Sequence, residues 1–331
     1  MTTGDIPEKM SVMELDGFGG PDTLVPATRP VPTVADDEVL VQVTASGVNG
    51  PDLVQRRGHY PAPKGASDLL GLEVSGEVVA AGPDQDLWRL GDRVCALTNG
   101  GGYAQFVAVK AEHYLPIPES VDEVDAAGFP ETFFTVWSNL FFNQPIPKDG
   151  NVLVHGGAGG IGSTAIQLSA ALGLTVFTTV ASDADAEFTK SLGASRPINY
   201  QSEDFVAICR EAGGVDIILD IIGGDYFARN IKASRHDGRI VQLAFNRGSK
   251  MEVDLMPIML KRLHFTGSTL RSRSQNFKSQ VARDLQKEVW PLITKGTVRP
   301  VTHAVLPLSE AGEAHRIMEA GQHHGKILLR P

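Results

Sequence analysis

The run Val152-Leu153-Val154-His155-Gly156-Gly157-Ala158-Gly159-Gly160-Ile161-Gly162 limits what this chain can fold into more than any other stretch. It reads as a short apolar strand, a glycine turn and a helix opening at Ile161. Glycines at 156, 159 and 162 remove Cβ atoms where the backbone turns tightly, approaches a pyrophosphate and packs helix on strand. Free N–H groups and the dipole at the helix start then favour phosphate. A lone glycine triplet is weak evidence, but here the flanks agree. Ile161, Ala165, Leu168 and Leu172 fall at helical spacing, Gly173 can end the helix, and residues 175–180 read as the next strand. The candidate phosphate cradle is therefore Gly156, Gly157, Ala158, Gly159, Gly160, Ile161 and Gly162.

The chain has 331 residues, enough for about two domains. Its 42% hydrophobic and 21% charged content suits a soluble globular protein. The opening MTTGDIPEKM is polar and argues against a secretory signal. No run approaches the ~18 apolar residues of a membrane helix. A net charge of −9 argues against a nucleic-acid backbone as main ligand. Cys95 and Cys209 are the only cysteines, too few for a four-cysteine zinc site or a disulfide framework. A cytoplasmic location follows as the expectation.

Residues from about 10 to 130 are β-rich, with strands at 39–43 and 73–80 separated by turn clusters such as Gly58-His59-Tyr60-Pro61. From about 151, candidate strands at 152–155, 175–180, 215–220, 239–245 and 264–269, with a weaker one near 196–198, alternate with helices. That alternation predicts a parallel sheet with helices on both faces. The tail returns to helix and ends on a strand at 326–329.

Several head segments then come together: Val41-Gln42-Val43-Thr44-Ala45-Ser46-Gly47-Val48-Asn49, Asp52, Gly58-His59-Tyr60-Pro61, Gly71-Leu72-Glu73-Val74-Ser75-Gly76 and Gly91-Asp92-Arg93-Val94. With the glycine turn and the closing Gly325-Lys326-Ile327-Leu328-Leu329, they resemble the medium-chain dehydrogenase/reductase superfamily. The likeness is greatest to its zinc-independent quinone oxidoreductase branch, which includes zeta-crystallin. Asp220-Ile221-Ile222-Gly223-Gly224 and Leu270-Arg271-Ser272-Arg273 are closest to the p53-inducible type. The resemblance implies an α/β chain: a GroES-like β-rich catalytic domain at 1–130 and 276–331, a Rossmann doubly wound parallel sheet at 131–275, and a homodimer. Zinc members carry a cysteine and a His-Glu pair in these head segments; here stand Val48-Asn49-Gly50 and Leu72-Glu73. Zinc needs about three or four nitrogen or sulfur ligands, so Glu73 alone cannot hold one, and no metal is expected.

The resemblance implies NADPH, with NADH the lesser expectation. Val180 occupies the second-strand position where an NAD site commonly carries an acid. Ser182 and Tyr200 match two of the three residues with which similar reductases hold the 2′-phosphate; Asp185 stands where they have lysine. Ser182-Asp183-Ala184-Asp185 also reads as a helix cap. Lys190, Arg196, Arg271 or Arg273 are candidates for the missing charge. Thr135, Phe245, Leu270 and Arg271 complete the expected cofactor contacts. Asn49, Asp52 and Tyr60 are the expected catalytic residues: Asn49 and Tyr60 as hydrogen-bond donors to a developing oxyanion, Asp52 as an orienting acceptor. Val54 stands near the place of another tyrosine frequent in relatives. The expected substrate is a small quinone. An enone or enoyl thioester is the alternative, with Arg56, Arg57 and Lys64 available to a carrier. A cofactor-binding structural or RNA-binding role is the alternative of another class.

Overall fold

A computed structural model describes residues 6–331; the first five residues of the polar opening lie outside the described residues. The chain divides into two compact units, residues 1–134 with 271–331 and residues 135–270.

The first unit begins with β1 (Lys9–Leu15) and β2 (Leu24–Pro30), an antiparallel pair. Then follow β3 (Glu38–Val48), α1 (Gly50–Arg56), β4 (Glu73–Ala81), β5 (Arg93–Leu97), β6 (Phe106–Lys110), β7 (Tyr114–Pro116) and α2 (Glu123–Ala126). The unit boundary falls inside α3 (Pro130–Leu140), after Phe134. β3 is longer than its sequence pattern predicts because β4 and β6 both pair with it, and the strand Lys326–Arg330 adds to its end. Val39, Val41, Val74, Val78, Val94 and Val107 pack together inside this sheet.

The second unit alternates strand and helix: β8 (Asn151–His155), α4 (Gly160–Ala171), β9 (Thr175–Val180), α5 (Asp183–Ser191), β10 (Arg196–Asn199), α6 (Phe205–Glu211), β11 (Val215–Asp220), α7 (Tyr226–Ala233), β12 (Ser234–Gln242), α8 (Met256–Lys261) and β13 (His264–Gly267). The strands are parallel in the order β10-β9-β8-β11-β12-β13, the doubly wound arrangement. β8 is central and wholly buried, which is why it reads as an unbroken apolar run. β12 starts five residues before the expected 239 and ends at Gln242. Its polar first half, Ser234-Arg235-His236-Asp237-Gly238, carries no apolar alternation from which a strand can be read.

The chain then returns to the first unit through α9 (Gln275–Glu288), α10 (Trp290–Thr294), β14 (Thr302–Pro307), α11 (Ala311–Ala320) and β15 (Lys326–Arg330). β15 joins β14 to β3, closing a sheet of order β14-β15-β3-β4-β5-β7, with β6 also on β3. The last segment of the chain thus places Lys326 beside the end of β3. No helix among the described residues is long and apolar enough to cross a membrane.

Candidate active site

In the second unit the glycine turn joins β8 to α4. The helix opens at Gly160, one residue earlier than expected, with extended Gly159 as its cap and no acid in its first turn. A Cβ at Gly162 would stand 2.2 Å from the Gly156 carbonyl oxygen, so the turn closes on its own backbone. Nothing lies within 4 Å of where a Cβ at Gly159 would stand. A turn packed on one side and open at a helix N-terminus fits a pyrophosphate.

Sequence reasoning missed the support beneath this turn. The His155 ring packs edge-on against Phe205 and Tyr226, each 4.9 Å away between centroids, and those two rings stand 5.3 Å from each other. One ring nitrogen is 2.7 Å from Asn230 Oδ1 and the other 3.1 Å from Thr179 Oγ1. Asn230 Nδ2 donates to Asp220 Oδ2 (2.8 Å), and Asp220 Oδ1 accepts from the N–H groups of Ile222 (2.6 Å) and Gly223 (3.0 Å). Burial lowers the His155 pKa and keeps the ring neutral. The network ties the glycine turn to the loop after β11, both at carboxyl ends of parallel strands, where cofactors bind in such sheets.

Around the expected 2′-phosphate position, Val180 is buried and ends β9, while Tyr200 is 46% exposed beyond β10. Ser182 caps α5, its Oγ accepting from the Asp185 N–H at 3.1 Å. Lys190 pairs with Glu187, and Arg196 with Glu203. Arg271 and Arg273 belong to the first unit. Phe245 is exposed beyond β12, Leu270 is buried, and the Thr135 carbonyl accepts from Asn139 within α3.

The first unit brings Asn49, Asp52 and Tyr60 to one region, with partners not read from sequence. Asn49 follows β3 and caps α1; the Asp52 carboxylate accepts from the Asn49 N–H (2.8 Å) and the Gly71 N–H (3.0 Å). Both ends of the Asn49 amide are held: Nδ2 donates to Glu73 Oε1 (2.8 Å) and Oδ1 accepts from Lys326 Nζ (2.6 Å). Lys326 Nζ also lies 2.6 Å from Glu73 Oε1, and Glu73 Oε2 accepts from the Glu131 N–H at 2.7 Å. Gly47 makes room for this cluster, since a Cβ there would meet Glu73 Oε1 at 1.9 Å.

Asn49 and Asp52 are buried; Tyr60 and Glu131 remain partly exposed. The Arg271 guanidinium stands 5.5 Å from the centre of the Tyr60 ring, and its nitrogens donate to the Asn99 carbonyl and to Gln55. Burial pushes Asp52 up to about 6 and Glu131 up to about 8. It also raises the Tyr60 hydroxyl, with a further push from Glu131. Lys278, donating to Asn99 Oδ1 (2.6 Å) and the Arg271 carbonyl (2.9 Å), is lowered by burial to about 8.

These residues do not fit a zinc ion. Leu72 is buried at the histidine position, and Glu73 is already bound by an ammonium and two N–H groups. Among the described residues, no three His, Cys, Asp or Glu side chains gather closely enough to hold a metal. Arg56, one of the cations expected to be available to a carrier, is buried instead. It donates to the Gly19 carbonyl and contacts His315 and Glu319, and Arg57 shares Glu319.

Comparison with known proteins agrees with this architecture. Residues 35–119 match the alcohol dehydrogenase GroES-like domain, and residues 192–329 match the family described as zinc-binding dehydrogenase. The chain is 30% identical over 335 residues to quinone oxidoreductase of Rattus norvegicus, covering 99% of each chain. The solved Escherichia coli quinone oxidoreductase complexed with NADPH is similar with a TM-score of 0.84 and 26% identity, over 97% of this chain and 100% of that one. CurK enoyl reductase is similar with a TM-score of 0.85 and 25% identity, over 98% and 99%. By full-length likeness in sequence and in fold, the chain belongs to the quinone oxidoreductase family of the medium-chain dehydrogenase/reductase superfamily.

Proposed function

We propose that this protein is an NADPH-dependent, metal-independent reductase of small quinones. The observation that carries the reading is the Lys326 ammonium bound to both Glu73 and Asn49, a protein cation beside the acid of the segment in which zinc members carry a His-Glu pair. Bound NADPH supplies the hydride from its nicotinamide. The open glycine turn and the start of α4 hold the pyrophosphate. Tyr60 offers a phenolic donor to the oxygen on which charge develops, and Arg271 adds positive potential beside the ring. Asp52, wholly buried, orients Asn49 and Gly71. The hydride, a small quinone and one proton account for the reaction without a metal or a flavin.

Preference for NADPH over NADH rests on Val180, which offers no acceptor to a ribose hydroxyl, and on Tyr200, exposed beyond β10 and matching a residue with which similar reductases hold the 2′-phosphate. Asp185 weakens that preference by repulsion. Titration of both cofactors tests it: NADPH binds more tightly, and Asp185→Lys widens the gap. Tighter NADH binding that Asp183→Ala reverses would make Asp183 the ribose acceptor instead.

A second reading, reduction of activated alkenes, is favoured by the likeness to CurK enoyl reductase and, over 93% of this chain, to the polyketide synthase GfsB of Streptomyces halstedii at 29% identity. The chain spans 5% of that synthase. Stopped-flow NADPH oxidation with a quinone panel and an enone panel separates the two readings. Turnover of enones with none of any quinone assigns the alkene reaction.

The protein is also proposed to be a homodimer through the second unit. β13 is the last strand of its sheet and every one of its residues is exposed. Leu255, Met256, Met259, Leu260 and Phe265 are each more than half exposed nearby in sequence. An unpaired edge beside apolar side chains suits an isologous pairing of two copies.

A further inference from the structure

Glu131 is the second residue of α3, and its main-chain N–H is fixed by Glu73 on β4. Its carboxyl group has no hydrogen-bond or ion-pair partner among the described residues, yet it remains partly exposed. The Tyr60 hydroxyl is likewise without a hydrogen-bond partner there. The charged and titratable groups bearing on Glu131 are Glu73 on β4, Asp52 on α1, Lys326 on β15, Lys278 on α9, Arg271 ahead of α9 and Tyr60 after α1. Lys326 is already committed to Glu73 and Asn49, Lys278 to Asn99 and the Arg271 carbonyl, and the Arg271 guanidinium to the Asn99 carbonyl and Gln55. Two nearby carboxylates and burial therefore oppose ionisation of Glu131, and no cation is left to pair with it directly.

We propose that Glu131 is the acid that protonates the substrate, delivering its proton beside Tyr60 as hydride arrives. This rests on the reading of the chain as a hydride-transferring reductase. The substrate gains two electrons and one hydrogen as hydride from the reduced nicotinamide. It gains its second hydrogen when the Glu131 O–H bond breaks and an O–H bond forms on the product. The quinone is reduced to hydroquinone, the dihydronicotinamide is oxidised, and Glu131 is left as carboxylate. Lys278 and Arg271 steady that carboxylate by their charge until water reprotonates it. Holding the acid unpaired keeps it protonated at neutral pH, where an ordinary glutamate is ionised.

The test uses the full-length protein and its Glu131→Gln and Glu131→Asp variants. Difference infrared spectroscopy of the cofactor-free protein should show a protonated carboxyl band that titrates near pH 8 and is missing in Glu131→Gln. For the wild type, kcat/KM with NADPH and an ortho-quinone should fall as pH rises through about 8. Glu131→Gln should lose that limb and slow by about 100-fold or more, while binding NADPH unchanged by fluorescence. Glu131→Asp should restore the limb, displaced in pH, which a purely structural role does not do. A carboxylate already ionised at pH 7 in the wild type overturns the proposal even if the Gln variant does not fold. So does an active Glu131→Gln with an unchanged pH profile, which leaves the reductase reading standing. A wild type that binds NADPH but reduces neither quinones nor enones overturns the reductase reading and the proton donor with it.

Discussion

Lys326 and Glu73 form a buried ion pair, and a buried pair responds unevenly to the loss of one or both partners. Removing the cation leaves a carboxylate without compensation, at a cost of about 3–5 kcal/mol, whereas removing both charges is often nearly neutral. We predict that Lys326→Met destabilises the protein by that amount in urea titration and that Glu73→Gln added to it recovers most of the loss. A double variant no better than the single one would show that the Asn49 contact, not the pair, carries the energy. Tyr60 makes the converse case, a partly exposed hydroxyl with no hydrogen-bond partner among the described residues. Tyr60→Phe should leave the urea midpoint within error and lower kcat/KM for quinones, by less than the ~2.7–4 kcal/mol of an essential oxyanion donor because water can substitute in part. Pairing it with Asn49→Ala should cost more, and unchanged kinetics in the pair would remove both residues from the mechanism. The sequence points to Asn49, Asp52 and Tyr60 because they lie in one recognisable segment. It leaves Lys326 and Glu131 silent because their partners lie far away along the chain, at separations of 277 residues for Lys326–Asn49 and 58 for Glu131–Glu73.

At the scale of the element, the strand–turn–helix of β8 and α4 is legible almost residue by residue. Its apolar strand, glycines and helical spacing are all local signals. The two ends of the turn differ in what they tolerate. Gly162→Ala drives a Cβ onto the Gly156 carbonyl, which is backbone and cannot swing aside, so it should cost about 1–3 kcal/mol of stability as well as NADPH affinity. Gly159→Ala meets open space within the protein and should weaken NADPH binding with stability unchanged. Thermal melts beside fluorescence titration separate the two, and equal melting temperatures for both variants would contradict the packing argument. Element ends are less legible. β12 begins in a polar stretch, where its register against β11 rather than its composition decides the pairing.

For the whole molecule, stability should fall with acid below about pH 6. His113, His155, His315 and His323 are all lowered by burial, with His113 and His323 near 4 and His315 near 3. Each binds a proton on unfolding between its folded value and about 6.5, so its stabilisation is present above that window and lost as pH falls through it. Asp52 and Glu131 act in the opposite sense: raised to about 6 and about 8, they hold protons that the unfolded chain releases, and so gain stability as pH falls. The histidines outnumber them. Urea midpoints at pH 6 and pH 5 should show the fall, and Glu131→Gln should steepen it by removing an opposing group. The proposed dimer belongs to this scale too. Light scattering at micromolar concentration should give twice the chain mass, and Met259→Glu with Phe265→Glu should halve it. A monomeric wild type would end that proposal.

The sequence by itself determined the class of fold, the glycine turn between β8 and α4 and the segment holding Asn49, Asp52 and Tyr60. Each of these is written in residues close enough together for local spacing to carry it. Only the tertiary structure decided what those residues do with one another. Lys326 reaches Asn49 because β15 pairs with the end of β3, and Glu73 is shared between Asn49, Lys326 and α3 because Gly47 leaves room for it. Arg56 reads as a surface cation and is buried against His315, while His155 reads as the end of a strand and anchors a network to Asp220. Charge in a sequence has sign but no surroundings. Burial and pairing, which set whether a carboxyl keeps its proton or is held by an ammonium, arise only when distant strands meet.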